Sequence, residues 1–168
     1  MAEELLTFDE LRAVLEEYGR AVAEQYKANL KRDGRPASHA LEKSIKTRVV
    51  TEGQDFIVKM DLEEYWKYIE YGTAGWFTGN PSRKFPPVDA LMKWIEIKPV
   101  IPRPDAKGRI PSPRSLAFLI GRKIQQFGTK GRADLTEAKM DVTEQFRGRI
   151  EAALQHDMYN YIRKVLAP

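Results

Sequence analysis

Apolar residues recur at three- and four-residue steps near the start of the chain, at Phe8, Leu11, Val14, Leu15, Tyr18, Val22 and Tyr26. That stripe predicts an amphipathic helix over about residues 7–31. Thr7-Phe8-Asp9-Glu10 has the form of a capping box at its start. Asp33-Gly34-Arg35-Pro36 stops it, because Gly supplies a left-handed backbone and Pro cannot continue the ladder. The period then changes. Ser44 to Thr51 alternates apolar and polar residues, and Phe56 to Met60 is β-branched and aromatic. Glu52-Gly53-Gln54-Asp55 between them has the length of a hairpin turn. Two strands alone are marginal, so this hairpin should pair with a third strand, pack on a helix, or join a neighbouring subunit.

Helical periods return downstream. Leu62 to Tyr71 predicts a short helix with an aromatic face, and Pro87 to Ile97 a second with proline in its first turn. Ser115 to Phe127 predicts a third. A last helix of about 25 residues follows Asp134-Leu135-Thr136, carrying Val142, Phe146, Ile150, Leu154, Met158, Ile162 and Val165. Eight of the ten prolines fall between residues 81 and 113, which makes two long loops around one short helix. Loops of that kind tend to be functional or to contact partners. No Gly/Ser linker divides the chain. The expectation is therefore a single α+β domain over residues 1–168, with 1–6 disordered.

Composition narrows the chemistry. Across 168 residues, 28 Lys+Arg oppose 24 Asp+Glu for a net charge of +4, which permits a nucleic-acid partner without demanding one. There is no cysteine, which excludes disulfides, thiolate metal sites and thiol catalysis. No apolar run approaches the length of a membrane span, and MAEELLTFDE lacks the apolar segment of a secretory signal.

Candidate chemistry is sparse. His39 and His156 are the only histidines, 117 positions apart, and no metal-binding spacing accompanies either. Asp89, Glu96 and Lys98 imitate the carboxylate-and-lysine set of a Mg²⁺-dependent nuclease, but that chemistry needs them on adjacent strands and the stretch between them has helical period. No metal and no cofactor is expected. The basic residues Arg103, Lys107, Arg109, Arg114, Arg122, Lys123, Lys130 and Arg132 face only Asp105 and Asp134 nearby. Set among Pro and Gly, they could reach phosphates without reading sequence. Of these, Arg103, Lys107, Arg109, Arg114, Lys130 and Arg132 are the DNA-facing candidates. Trp66, Trp76 and Trp94 could stack on bases, though packing in a core or a subunit interface weighs more.

One internal echo stands out. Tyr71-Gly72-Thr73-Ala74-Gly75 and Phe127-Gly128-Thr129-Lys130-Gly131 share an aromatic-Gly-Thr-x-Gly pattern, each after an amphipathic stretch. Two helix caps with left-handed glycine suffice to explain it, in which case Asn should be tolerated at Gly72 and Gly128 better than valine.

Tyr65-Trp66-Lys67-Tyr68-Ile69-Glu70-Tyr71-Gly72-Thr73, then a Pro-rich stretch, Trp94-Ile95, Leu116-Ala117-Phe118 and Phe127-Gly128-Thr129 follow a helix and a hairpin. This order resembles the neck and tail-completion proteins of tailed bacteriophages. The likeness spans roughly residues 38–165. The family's Pro-x-Arg-Pro-Phe term is only approximated by Pro81-Ser82-Arg83-Lys84-Phe85-Pro86. The resemblance implies an α+β fold, no enzymatic activity and no cofactor. It further implies a homo-oligomeric ring in the virion, assembled in the host cytoplasm, that joins head to tail around the DNA channel beside other neck, portal-adaptor or tail proteins. A cyclic ring needs a heterologous contact. The candidate surfaces are the hairpin 44–60 and the loop 73–86, with Tyr65, Trp66, Tyr71, Trp76, Phe77 and Phe85 as interface residues. The alternative is a nucleic-acid-binding accessory protein using the basic segment 103–132.

Overall fold

The computed structural model describes residues 8–32, 39–53, 55–98, 100–104 and 106–166. In chain order its elements are α1 (Asp9–Arg32), α2 (Ala40–Ser44), β1 (Lys46–Glu52), β2 (Asp55–Asp61), α3 (Trp66–Glu70), β3 (Gly72–Thr73), a 3-10 turn at Trp76–Thr78, α4 (Val88–Ile97), α5 (Pro113–Phe127), β4 (Thr129–Lys130) and α6 (Asp134–Leu166). This is an α+β fold with a small antiparallel hairpin and a long C-terminal helix. The expected Thr7 cap, the Asp33–Pro36 stop, the disorder of 1–6, and the acid Asp105 lie outside the described residues. No helix among those described is long and apolar enough to cross a membrane.

The described residues gather into two compact units. In the first, α1 and α6 run antiparallel. Asn29 Nδ2 donates to the Asp134 carbonyl at 3.0 Å at one end, and Asp157 Oδ2 accepts from the Leu11 amide at 2.8 Å at the other. Small residues on α6 line the seam, with Ala138, Val142 and Ala153 buried, while α1 contributes Val22, Tyr26 and Leu30. Tyr18 meets Phe146 edge-on and bonds Thr143 at 2.9 Å. The hairpin packs on the other side of α1. Its register runs from Lys46 opposite Asp61 to Glu52 opposite Asp55. Gly19 permits the approach, since a Cβ there would lie 3.0 Å from Val58 Cγ1 and 3.3 Å from Thr47 Cβ. Phe8 meets Phe56 edge-on at 5.7 Å, and Arg12 donates to Thr51 at 2.9 Å. Of the three ways to complete the hairpin, packing on a helix is the one this unit uses. On α2, Glu42 bonds Lys31 at 2.7 Å, and that hydrogen bond holds the Lys31 ammonium above its ordinary pKa.

Two helices differ most in length from those the sequence predicts, and α2 is a helix that it does not predict. α6 has 33 residues rather than about 25, because no breaker follows Asp134 and the acids Asp134 and Glu137 suit a helix N-terminus. In its first two turns the buried apolar position is Ala138 while Met140 is exposed, so the stripe is thin there. α3 has only five residues. The Glu63 amide donates to Ser44 Oγ at 3.1 Å, which holds the stretch before it out of helical register.

The second unit packs α4 against α5. Phe85 stacks on Phe118 with centroids 5.3 Å apart. It lies over Gly121, where a Cβ would come within 2.6 Å of its ring. α5 begins two residues before the predicted start because Ser112 Oγ accepts from the Ser115 amide at 3.2 Å, with Pro113 in the first turn.

Candidate functional site

The two echoed segments pair with each other. β3 and β4 are antiparallel, Gly72 opposite Lys130 and Thr73 opposite Thr129. The threonine hydroxyls lie 2.8 Å apart, and Thr73 Oγ1 accepts from the Thr129 amide at 3.1 Å. Four glycines let the backbones cross in contact. A Cβ at Gly72 would stand 2.2 Å from the Thr129 carbonyl oxygen, and one at Gly128 only 1.8 Å from that of Thr73. Gly75 abuts Gln126–Gly128 backbone, and Gly131 abuts Glu70–Gly72 backbone. The contacts are reciprocal: each motif's first glycine meets the other's threonine, and each motif's last glycine meets the other's aromatic-Gly start. The arrangement has an approximate two-fold symmetry, which two independent helix caps would not need.

The cap expectation is therefore half correct. Gly72 follows α3 with φ +70°, and Gly128 caps α5 with its amide donating to the Ile124 carbonyl at 2.8 Å. Gly128, however, has φ 76° and ψ −159°, outside the left-handed helical well. That region belongs almost wholly to glycine, so the tolerance for Asn expected there is withdrawn. After β4 the Arg132 and Ala133 amides both donate to the Glu70 carbonyl, at 2.9 and 3.1 Å, and close the chain back onto the end of α3.

Around this clasp the six aromatic candidates divide. Tyr71 and Phe77 are 72% and 67% exposed. Phe77 leans on the exposed Phe127 at 5.6 Å. Tyr65 and Trp76 are partly exposed, and the Trp76 indole N–H donates to the Arg83 carbonyl at 2.9 Å. Arg83 also donates to the Ala74 carbonyl at 3.0 Å, so loop 73–86 is tied to the clasp at both ends. Trp66 is half-buried beside Tyr71, and Phe85 is taken up by its stack on Phe118.

The basic candidates do not form one patch. Arg103, Lys107 and Arg109 are exposed in a segment without helix or strand, and Arg114 opens α5. Lys130 and Arg132 follow the far end of that helix, about 22 Å along its axis. Arg122 and Lys123 are exposed between them.

Asp89 and Glu96 both lie on α4, seven residues and thus about 10 Å of rise apart, too far for one shared cation. Three other ligand-type side chains do converge. Glu10, His156 and Asp157 bring their ligand atoms within 4.8 Å of one another. The sequence alone did not connect them, since Glu10 and His156 are 146 positions apart. Glu10 bonds His156 directly, an ion pair when the imidazole is protonated, and Asp157 accepts from Leu11. The trio anchors the start of α1 to α6.

No family model matches the chain, and neither a curated protein nor a solved structure matches it.

Proposed function

We propose that this chain is a non-enzymatic virion structural protein, one subunit of a homo-oligomeric ring in the neck that joins a phage head to its tail. Its partners on this reading are further copies of itself and neighbouring neck, portal-adaptor or tail proteins. One observation carries the reading. Two of the segments that carry the resemblance, 65–73 and 127–129, end in the Gly-Thr pairs that meet in one clasp, so their co-occurrence reflects a single structural device rather than two short coincidences. Beside the clasp, Tyr71, Phe77 and Phe127 stand exposed on tied backbone, as rigid aromatic anchors of a subunit contact do.

Native mass spectrometry of the purified chain, with a search for it in purified particles, tests this. The expected result is a closed oligomer and stoichiometric presence in particles. A chain missing from particles overturns the assignment.

The exposed basic residues on irregular backbone favour a second reading, non-specific contact with nucleic acid. Filter binding across a salt series separates the two. Phosphate contact predicts a log–log slope of about −0.9 for each phosphate neutralised, whereas absent or salt-independent binding removes this reading and leaves the ring.

A further inference from the structure

α6 runs past the start of α1. Asp157 lies beside Leu11 and α1 starts at Asp9, so the last turns of α6 continue about 10 Å beyond the helix they pack against. Along this end Leu154, Met158, Tyr161 and Val165 step by four, three and four, the spacing of a coiled-coil seam. They are 38%, 48%, 41% and 60% exposed. Ile162 flanks them, also exposed. A helix end this short gains little from propensity alone, and a row of exposed apolar residues on it marks a contact face.

We propose that a second copy of this chain covers the seam with its own α6 end, antiparallel, about a two-fold axis. The spacing selects the register. Met158 falls opposite Tyr161 of the second copy and Leu154 opposite Val165, so all four positions enter layers together. The same alignment brings Asp157, on the flank of the seam, toward Lys164 of the second copy, and the symmetry repeats that opposite-charge pair. A parallel alignment sets Met158 on Met158 and brings Asp157 toward Ile162, which forfeits both pairs. Self-complementarity is thus specific to the antiparallel arrangement. The contact is isologous and so distinct from the heterologous contact a ring requires. It stands whether or not the ring reading holds.

The absence of native cysteine makes the register directly testable. Met158→Cys chains and Tyr161→Cys chains are mixed in equal amounts under mild oxidation, and the cross-linked species are weighed without reductant. The mixed dimer should exceed each homodimer well beyond the two-to-one ratio of random collision. Sedimentation of the wild type should give a dimer, or rings paired face to face where the ring forms, and Met158→Glu should halve that mass with an unchanged melt. Lys164→Glu, which faces Asp157 with a like charge, should raise the dissociation constant about tenfold. A wild-type monomer at tens of micromolar, a random cross-link ratio, or an excess of the 158–158 homodimer each overturns the proposal.

Discussion

Gly128→Ala should unfold the second unit's clasp, with a loss of about 3 kcal/mol or more. Two penalties coincide at this position. A side chain is forced into a backbone conformation that essentially only glycine adopts, at φ 76° and ψ −159°. Its Cβ would also sit 1.8 Å from the Thr73 carbonyl oxygen, a backbone atom held by the β3–β4 pairing. The Thr73–Ala74 backbone cannot swing aside as a flexible side chain would. Gly128→Asn should be as damaging as alanine, because its Cβ meets the same oxygen. The controls are Gly148→Ala, which has open space on α6 and should be neutral or stabilising by about 0.5–1 kcal/mol, and Gly53→Ala, whose cost should be confined to its positive φ. Thermal melts, with hydrogen exchange at residues 70–75 and 127–132, measure the difference. If Gly128→Ala melts within about 1 kcal/mol of wild type, the crossing is not as close as described.

The same position explains what the sequence could and could not convey. The pattern aromatic-Gly-Thr-x-Gly is visible twice in the chain, and local rules account for each copy as a helix cap. Those rules concern one helix end at a time. The pairing joins residues 56 positions apart, and nothing in either copy names its partner. The equal spacing of the two glycines in both copies was the available signal, since a reciprocal crossing needs glycine at matched positions on both strands.

Elsewhere legibility follows periodicity. α1, the hairpin, α4 and α5 lie close to their expected bounds because apolar spacing and turn residues agree at each. The start of α6 was obscure because Ala138 is buried without being large, so the apolar stripe fades where the helix packs most closely. Phe85 illustrates a packing partner that periodicity does not reveal. An aromatic in a Pro-rich loop resembles an interface residue, yet Gly121 opens a place for its ring on α5. The meeting of Glu10, His156 and Asp157 likewise depends on the antiparallel alignment of α1 and α6, which side-chain spacing within either helix does not encode.

Tyr26→Ala should remove about 3–5 kcal/mol from the first unit, the range for deleting a fully buried aromatic ring. Tyr26 has no exposed surface and is the largest side chain so enclosed among the described residues, on the α1 stripe with Val22 and Leu30. The facing helix supplies alanine and valine, whose short side chains cannot extend into the vacated volume, so the cavity term should remain largely unrelieved. Tyr159→Ala deletes the same atoms from α6 at a position 63% exposed and outside the proposed seam, and its effect should stay within about 0.5 kcal/mol. Chemical denaturation of the two variants compares one side-chain deletion at two depths. A Tyr26→Ala loss as small as that of Tyr159→Ala would mean that the α1–α6 seam is not the core of this unit. A loss in the expected range, set against a typical domain stability of about 5–15 kcal/mol, would leave the helix pair close to its unfolding threshold.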